Sequence, residues 1–405
     1  MRILQIGHNY HVSGGSDAVM FATSDLLTKA GHEVIPFCMD HPNNQPTRWS
    51  SYFPRSADTR AMPIRDGLRY FYNIDARVQL QKLLEDVGTI DVAHLHIYHG
   101  KQTAAILPIL RKHGIPIIQT LHEYKLACPV YTMQRNGRPC ELCLTGSDFN
   151  CIWHRCKNGS TFQSTVMAAE KLFSRIAGDV SRIDRFICVS EFQRQIMGRT
   201  HIPVEKLHTL HNFVRCQPNV APGHDGYFLF FGRLEKLKGM QTLINAFKKC
   251  GQRLIIAGDG DWRGALENQI SRIDTIEYVG FQTGSDLTKL ISRARAVVVP
   301  SEWNENCPMS VLEAKALGRP VIGARIGGIP ELIQPGIDGA LFDAGDQDSL
   351  AAAVSEICMA DHDRLSSNAL KDALKRFSET AHLDQLFSHY EYVISKASIA
   401  APILA

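Results

Sequence analysis

The sequence predicts an α/β protein built from two doubly wound domains in tandem. Three observations support this: the chain has 405 residues, short apolar runs alternate with helical patterns, and this alternation breaks once and then restarts. Domains usually contain ~100–200 residues, so a chain of this length needs two hydrophobic cores. Hydrophobic residues make up 44% and charged residues 21% of the sequence, which excludes a disordered, collagen-like or coiled-coil protein.

The first half alternates strand-like and helical segments, as βαβ units do. Strands are predicted at residues 3–6, 34–37, 92–95, 115–121 and 186–189, and a helix is predicted at 17–30. Asn, Pro, Gly and Asp then accumulate in residues 212–226, which predicts a linker between domains.

After the linker the alternation resumes, with strands at 227–231, 253–257, 277–279, 296–299 and 320–323 and helices at 240–249, 264–273, 286–294, 310–317, 347–357 and 383–394. The predicted domains are residues 1–212 and 213–379, and a last helix, at about 380–405, is expected to pack back on the first domain. In open parallel sheets ligands bind beyond the carboxyl ends of the strands. Function is therefore expected in a cleft where two such sheets face each other.

The net charge does not indicate a particular binding partner. The N-terminal sequence and the cysteine usage predict a cytoplasmic protein. The 44 Lys and Arg against 41 Asp and Glu give a net charge of +3, so no overall basic excess indicates nucleic-acid binding. The N-terminal residues lack the pattern of a secretory signal, and no apolar run approaches the ~18–20 residues of a membrane-spanning helix. Six of the eleven cysteines are scattered singly, which favours a reducing compartment.

Two loops at predicted strand ends carry residues suited to an anionic ligand. Gly14 and Gly15 precede a helix, where the backbone can approach a ligand and helix N–H groups can meet an anion; a long strand-to-helix turn is the alternative. Arg233 and Lys238 follow the first strand of the second domain and suit a diphosphate, although solvated surface charges would look the same.

A pair of carboxylates in the segment VVVPSEWNENCPMSVLEAKALGRPVIGARIGGIPELI forms the strongest candidate site. Glu305 follows the strand at 296–299, and Glu313 lies eight residues later in a helix that begins near Met309. Both side chains can face one cleft and bracket a ligand whose phosphates meet the N-terminal amides of the helix. The alternative is a helix-capping and surface pair.

The segment from Pro300 to Ile333 resembles the Glu-x7-Glu signature of the retaining glycosyltransferases of family four, and FGRLEKLKG resembles their diphosphate-binding segment. The resemblance covers nearly the whole chain, from Gly14 and Gly15 to the GGIPELI run. It implies the GT-B fold, in which two Rossmann-like domains face each other across a cleft. The C-terminal domain would hold most of the nucleotide-sugar donor, and the N-terminal domain most of the acceptor.

The resemblance also implies roles for individual residues. Arg233 and Lys238 would neutralise the donor diphosphate, and Glu313 would bind the ribose. Glu305 would lie against the transferred sugar, which His122, at the end of the strand at 115–121, would face from the other domain. Further substrate-binding positions are implied in the glycine loop, at the helix amides and near the nucleotide base, namely Gly14, Gly15, Met309, Ser310, Val311, Gly258 and Phe281.

The reaction implied by the resemblance is transfer of a sugar from a UDP- or GDP-sugar to a hydroxyl, with retention at the anomeric carbon. The acceptor would be a glycan or a polyprenyl-diphosphate-linked oligosaccharide, and the process the assembly of a surface polysaccharide. No catalytic metal is expected, because Arg233, Lys238 and a helix dipole supply the positive charge. Alternatives are a nucleotide-sugar epimerase or hydrolase on the same fold and a non-catalytic sugar-nucleotide-binding protein. A nicotinamide oxidoreductase is disfavoured, because the glycine triplet is missing from both halves.

A cysteine-rich insert occupies residues 128–156. The spacing C-x2-C, x7, C-x4-C is similar to that of zinc knuckles and predicts a structural zinc site. Redox-labile disulfides and reduced packing thiols are the alternatives. The predicted ligands are Cys140, Cys143, Cys151 and Cys156, with Cys128 or His154 as a substitute.

A basic and aromatic stretch in the first domain suggests a second surface. It could rest on the inner face of the cytoplasmic membrane near a lipid-linked acceptor, or it could be a solvated helix face with buried aromatics. Its residues are Arg48, Arg55, Arg60, Arg65, Arg69 and Arg77 with Tyr52, Phe53, Tyr70, Phe71 and Tyr72.

Overall fold

The computed structural model describes residues 1–55, 64–216 and 223–400, and its main features are two six-stranded parallel sheets. The strands are β1 (Arg2–Ile6), β2 (Glu33–Phe37), β3 (Val92–Leu95), β4 (Ile117–Leu121), β5 (Gln134–Arg135), β6 (Arg138–Pro139), β7 (Arg185–Cys188), β8 (Leu207–Thr209), β9 (Phe228–Phe231), β10 (Leu254–Ala257), β11 (Ile276–Tyr278), β12 (Ala296–Val299), β13 (Val321–Ala324) and β14 (Gly339–Phe342).

Helices flank both sheets. They are α1 (Gly15–Lys29), α2 (Ile64–Phe71), α3 (Ile74–Val87), α4 (Leu107–Lys112), α5 (Leu142–Thr145), α6 (Phe149–Trp153), α7 (Thr161–Ile176), α8 (Glu191–Gly198), α9 (Met240–Cys250), α10 (Arg263–Ile270), α11 (Gly284–Arg293), α12 (Met309–Ala316), α13 (Gln347–Met359), α14 (His362–Arg376) and α15 (Glu379–Ala400). The alternation of strands and helices in both halves confirms the predicted α/β class.

The first sheet has the strand order β2-β1-β3-β4-β7-β8, and all its neighbouring strands are parallel. The chain moves from β1 outward to β2 and then returns past β1 to β3. The loops that follow β1 and β3 therefore diverge, and a crevice opens between them at the carboxyl edge of the sheet.

The second sheet has the order β11-β10-β9-β12-β13-β14, again parallel throughout. Strands such as LIIA and AVVV are wholly buried, as expected for a sheet with helices on both faces. The direction of strand addition reverses between β9 and β12. The loops after these two strands carry Lys238 and Glu305, so both residues lie at this switch point.

The structure contains two edge strands that the sequence analysis did not predict. β8 has only three residues, two of them His and Thr, and β14 begins with Gly339. Short strands at sheet edges carry too little apolar periodicity to stand out from loops. Each nevertheless extends its sheet to six strands.

The last helix of the chain, α15, packs on the first sheet although it follows the second in sequence. Leu386, Tyr390 and Val393 are buried in one cluster with Ile3 and Ile118. The backbone N–H of Val214 donates to the carbonyl of Phe377 at 2.9 Å, so the chain segments that leave and re-enter the first domain lie side by side.

Candidate active site between the two domains

Two loops of the second sheet bring Lys238 next to Glu305. The backbone N–H of Glu302 donates to the carbonyl of Leu237 at 2.8 Å, which ties the loop after β12 to the loop after β9. Lys238 Nζ then lies 2.5 Å from Glu305 Oε1, and Ser301 Oγ donates to the same oxygen at 2.8 Å. The two charged residues that the sequence placed in separate motifs thus form one ion pair.

The Glu305 carboxylate is buried yet ionised. Burial alone would raise its pKa, but the Lys238 charge and the hydrogen bonds from Lys238 and Ser301 outweigh burial and hold the pKa below the ordinary value. The site therefore contains a fixed negative charge near neutral pH. Such a charge is suited to stabilising positive charge that develops on a bound ligand.

The GGIPELI run supports the loop that carries Glu305. The backbone N–H of Gly328 donates to the Glu305 carbonyl at 2.7 Å. A Cβ on Gly327 would lie 2.4 Å from the Glu305 carbonyl oxygen, and one on Gly328 would lie 2.0 Å from that of Asn306 and 2.9 Å from Ser190 of the first domain. Only glycine fits at these two positions, because the backbone of the GGIPELI run lies directly against the loop that carries Glu305 and against the first domain.

The helix α12 begins beside this loop with unused backbone donors. Pro308 caps it without a side-chain hydrogen bond, and within the described chain the N–H groups of Met309 and Ser310 have no acceptor. The third predicted amide, that of Val311, already donates to the Pro308 carbonyl at 3.1 Å. Two of the three amides are thus available to an anion at the positive end of the helix.

Glu313, one turn into α12, carries a carboxylate without a partner. It makes no hydrogen bond or ion pair with any described residue, and burial raises its pKa to about 7. A partly buried carboxyl group that nothing neutralises costs stability. Such an arrangement is typical of a group that binds a ligand rather than of one that holds the fold together.

Three residues predicted to contact the donor do not belong to the cluster around Lys238 and Glu305. Arg233 is exposed and pairs with Glu235 at 2.8 Å, apart from the Lys238–Glu305 pair. Phe281 exposes 71% of its surface. Gly258 has a packing role, because a Cβ there would lie 1.9 Å from the Gly232 carbonyl oxygen at a φ of +150°.

His122 lies at the end of β4, and its backbone carbonyl links the domains. Asn306 Nδ2 donates to the His122 carbonyl at 2.8 Å, so the residue after Glu305 touches the first domain directly. The imidazole of His122 stacks on that of His96, with Nε2 of the first 2.8 Å from Nδ1 of the second. Burial lowers the pKa of His122 to about 4, so the ring is neutral at physiological pH.

The glycine loop after β1 is open. Gly14 is extended, Gly15 begins α1, and both are exposed. No heavy atom of the described chain lies within 4 Å of a Cβ built on either. Packing and backbone conformation therefore leave these positions unconstrained, which is consistent with a surface kept clear for a ligand.

Several residues that shape the site were not predicted from the sequence. Asn306, Ser301 and Glu331 each make a contact that positions the cleft, but none belongs to a spacing with chemical meaning of its own. The Glu331 carboxylate accepts hydrogen bonds from the N–H groups of Glu191 and Phe192, at 2.7 and 3.0 Å, across the domain boundary. Only the position of Glu331 inside the GGIPELI run could have drawn attention to it.

The five cysteines of the insert converge on one small cavity of about 10 Å³. Burial raises the pKa of Cys143 and Cys151 to about 12, so these thiols are protonated near neutral pH. Within residues 1–55, 64–216 and 223–400, no group of three or more His, Cys, Asp or Glu side chains is arranged to hold a metal ion. The zinc site stays a prediction.

The basic and aromatic stretch does not form one free face. Arg48 donates to Glu33 at 2.8 Å and lies over the ring of Trp49, while Phe53 is buried. Arg60 and the side chain of Arg65 lie outside the described residues. A search of the described helices finds none with the length and apolarity that crossing a bilayer requires.

Comparison with known proteins gives family matches for both halves. Residues 13–217 match the model described as Glycosyltransferase Family 4, and residues 225–359 match Glycosyl transferases group 1. The chain is 30% identical over 184 residues to the putative colanic acid biosynthesis glycosyltransferase WcaL of Salmonella typhimurium, covering 42% of this chain and 45% of the relative. It is 28% identical over 267 residues to a D-inositol 3-phosphate glycosyltransferase of Mycolicibacterium smegmatis, covering 57 and 61%. The alignments thus span about half the length of these relatives.

Solved structures agree in fold over nearly the whole chain. Sucrose-phosphate synthase from Thermosynechococcus elongatus superposes with a TM-score of 0.73 at 18% identity, covering 98% of this chain and 99% of that one. HepE of Anabaena in complex with UDP-glucose superposes with a TM-score of 0.60 at 18% identity, covering 97 and 100%. Since one family model alone spans about half of the residues, the chain belongs to the family 4 and group 1 glycosyltransferases, and its two Rossmann-like domains form a GT-B fold.

Proposed function

We propose that this protein is a retaining hexosyltransferase that moves a sugar from a nucleoside-diphosphate sugar to a hydroxyl group. The observation that carries the proposal is the ion pair of Lys238 with Glu305, beside the open end of α12 and the unpartnered carboxylate of Glu313. A cation from the loop after β9, together with two free amides and two carboxylates from the loop after β12 and from α12, matches the phosphates, ribose and hexose of such a donor.

In this proposal donor binding rearranges the ion pair. The diphosphate draws Lys238 away from Glu305 and meets the amides of Met309 and Ser310, with Arg233 approaching from the surface. Glu305, still held by Ser301, then faces the sugar and stabilises the positive charge of an oxocarbenium-like transition state. Neutral His122 offers a hydrogen bond to the sugar from the other domain. No covalent enzyme intermediate is required.

The relatives support the choice of substrates. HepE was crystallised with UDP-glucose, and the Salmonella relative is named for colanic acid biosynthesis. We therefore propose a UDP- or GDP-hexose as donor, a glycan or polyprenyl-diphosphate-linked oligosaccharide as acceptor, and a role in surface polysaccharide assembly.

Product analysis separates this function from its rivals. Purified protein is incubated with UDP- and GDP-hexoses, with and without an acceptor pool, and products are identified by NMR. The proposal expects an acceptor-dependent glycoside whose anomeric configuration equals that of the donor. An epimerised nucleotide sugar indicates an epimerase, acceptor-independent free hexose a hydrolase, and nucleotide binding without turnover a non-catalytic binder. An inverted product contradicts retention.

A peripheral membrane contact would complete this role, because a polyprenyl-linked acceptor is embedded in the bilayer. Flotation with liposomes that contain anionic lipids tests it. Arg48→Gln is not an informative variant, since that side chain already binds Glu33; Arg77→Gln, on the exposed side of α3, is the better choice. Equal flotation with and without anionic lipid would argue against an electrostatic contact.

A further inference from the structure

A row of buried polar side chains connects α15 to His122 through the first domain. Tyr390 Oη lies 2.7 Å from His94 Nδ1. Gln5 lies between two imidazoles, with Nε2 3.5 Å from His94 Nδ1 and Oε1 2.7 Å from His96 Nε2. His96 Nδ1 is in turn 2.8 Å from His122 Nε2. We call the four residues that lead to His122 the buried row, since each of them is 2% exposed or less.

The three imidazoles of this region are neutral. Burial lowers the pKa of His94 to about 3 and that of His122 to about 4, and it holds the pKa of His96 well below the ordinary value. Each ring therefore has one N–H and one lone pair near neutral pH. In the contact between His96 and His122, one ring must donate and the other accept. The direction of this hydrogen bond decides whether Nδ1 of His122 has a proton or a lone pair.

The hydroxyl of Tyr390 sets the direction at the far end of the row. His94 Nδ1 is its only hydrogen-bond partner among the residues that the structure describes. A buried hydroxyl whose hydrogen lacks an acceptor destabilises a fold, so the Tyr390 O–H donates to Nδ1, which must have the lone pair. The proton of His94 then lies on Nε2, which donates to Thr120 Oγ1 at 2.7 Å.

The amide of Gln5 continues this direction to His96. Its Nε2 faces the lone pair of His94 Nδ1, whereas the reversed amide would place two acceptors against each other. The 3.5 Å contact is weak, but the orientation that it selects places Oε1 2.7 Å from His96 Nε2. Because an oxygen accepts there, His96 donates from Nε2 and its Nδ1 is an acceptor. His122 therefore donates from Nε2.

The other ring nitrogen of His122, Nδ1, is left free for a ligand. No hydrogen bond joins it to the described part of the chain, and the residue is partly exposed. The charge of Asp17 favours a proton on this ring, but Asp17 already accepts from Ser13 Oγ at 2.6 Å, and burial outweighs its effect. Asn306, next to Glu305, binds the His122 carbonyl, so the residue lies where the domains meet.

We propose that the buried row fixes His122 as the Nε2–H tautomer, so that Nδ1 accepts a hydrogen bond from a hydroxyl group of the bound substrate. Gln5 and His96 are positioning residues in this inference, since they act on the substrate only through His122. The inference rests on the proposed transfer function and specifies the hydrogen bond between His122 and the sugar: the hydroxyl donates and the imidazole accepts. The opposite tautomer would require an acceptor on the sugar.

Nitrogen NMR tests the tautomer without requiring turnover. Long-range ¹H–¹⁵N spectra of protein labelled at histidine distinguish protonated from unprotonated ring nitrogens, and His122→Asn identifies the signals of His122. The wild type is measured near neutral pH, free and saturated with UDP or GDP. We expect Nε2 of His122 to be protonated and Nδ1 to be unprotonated in each case. A proton on Nδ1, or an imidazolium signal, overturns the inference.

A variant at the far end of the row tests whether the row sets the tautomer. Tyr390→Phe removes the hydroxyl that fixes His94 and leaves His96 and His122 in place. A second set of His122 signals, with the proton on Nδ1, should then appear. Tyr392→Phe, at a partly exposed position two residues later, should keep the wild-type spectrum. Unchanged His122 signals in Tyr390→Phe would show that the hydroxyl has only a structural role and would overturn the role of the row.

Variants of His96 connect the tautomer to transfer. His96→Leu removes the acceptor of the His122 N–H, whereas His96→Asn keeps an oxygen at the same bond separation from the backbone as Nδ1. His96→Leu should lower kcat about tenfold or more, as loss of one oriented hydrogen bond does, and leave the affinity for UDP or GDP unchanged. His96→Asn should recover most of that loss. An equal loss in both variants, or none in His96→Leu, overturns the positioning role. A wild type that transfers no sugar would instead contradict the proposed function, and the NMR spectra would still decide the tautomer.

Discussion

At the level of residues, the ion pair of Lys238 with Glu305 leads to a prediction on activity and stability. Replacement of Lys238 by Met should lower kcat by about 10²–10³, because a charge that stabilises the leaving diphosphate is lost. It should also destabilise the fold by roughly 2–4 kcal/mol at neutral pH, because Glu305 is left buried without its cation. Steady-state kinetics and urea unfolding measure the two effects.

The pH dependence of that variant has a definite sign. With Lys238 present, the pKa of Glu305 is depressed, so the pair's contribution to stability is present above the unfolded carboxyl pKa and lost as the pH falls. In Lys238→Met burial dominates and the pKa rises, so the variant loses stability as the pH rises. The gap between wild type and variant should therefore widen from pH 4 to pH 8. Lys236→Met, two residues away and exposed, is the control, and a constant gap would contradict the assignment.

Glu313 illustrates a conflict between stability and binding. Its folded pKa, about 7, lies above that of an unfolded carboxyl group, so its cost to stability is absent at low pH and grows as the pH rises to about 7. Glu313→Gln should raise the thermal midpoint at pH 8 and leave it nearly unchanged at pH 4. The same variant should bind UDP or GDP at least tenfold more weakly, since the two ribose hydroxyls lose a charged acceptor with two oxygens and meet one neutral amide oxygen instead. A midpoint that does not rise at pH 8 would show that the carboxylate is solvated.

At the level of elements, Glu331 joins the domains by capping a helix of the other one. Its carboxylate accepts from two N–H groups at the start of α8 and from His211 Nε2 at 2.9 Å. Removing a helix cap costs ~1 kcal/mol. Glu331→Ala should lower the thermal midpoint by a few degrees and increase the radius of gyration in solution scattering, as the domains separate. The control is Glu205→Ala, which removes an exposed carboxylate of the first domain. Identical scattering of Glu331→Ala and wild type would show that Glu331 does not hold the domains together.

The cysteine-rich insert leads to a prediction at the same level. If Cys140, Cys143, Cys151 and Cys156 hold a structural zinc ion, protein purified without chelator should contain one zinc per chain by mass spectrometry. Cys140→Ser should lose the metal and several degrees of thermal midpoint, and Cys216→Ser should lose neither. A metal-free wild-type protein of unchanged stability would leave reduced packing thiols as the explanation, in line with the protonated state of Cys143 and Cys151.

How far the elements could be predicted depends on how apolar they are. Buried strands such as β12 have the predicted bounds, because a run of Val and Ala has no other stable environment. The strand predicted from residue 115 begins at Ile117, since Pro116 cannot donate to the ladder. Helix α14 was missed because the stretch has few apolar residues, three of which are buried. The charged groups of the candidate site could be found from motif spacing, whereas Asn306 and Glu331 depend on how the two domains meet.

At the level of the whole molecule, the two sheets are joined by a double crossing of the chain. Val214, on the way out of the first domain, is hydrogen-bonded to Phe377, on the way back. The ring of His382 packs against Phe213, and its Nδ1 lies 3.0 Å from the His211 carbonyl oxygen. The two crossings are therefore held against each other at one place between the domains. The sequence predicted two domains and a returning helix. It did not predict that the two connecting segments lie side by side, because that depends on tertiary contacts.

The returning helix α15 should therefore control the stability of the first domain. Tyr390 Oη lies 2.7 Å from His94 Nδ1, and both residues are buried. Tyr390→Phe keeps the ring in its apolar cluster and removes this hydrogen bond, so it should reduce the free energy of unfolding by ~1 kcal/mol. Tyr392→Phe, two residues later on the partly exposed side, keeps its ring beneath Arg185 and should cost less.

Removal of the whole helix has a much larger expected effect. Ending the chain at Ser378 exposes the surface that Leu386, Tyr390 and Val393 cover, and each such side chain contributes ~1.5–3 kcal/mol of burial. The sum approaches the total stability of an ordinary domain, ~5–15 kcal/mol. Limited proteolysis of the truncated protein should then cut the first domain within β1–β8 while the second domain survives. Equal resistance of both domains would mean that α15 only covers the first sheet and does not hold it together.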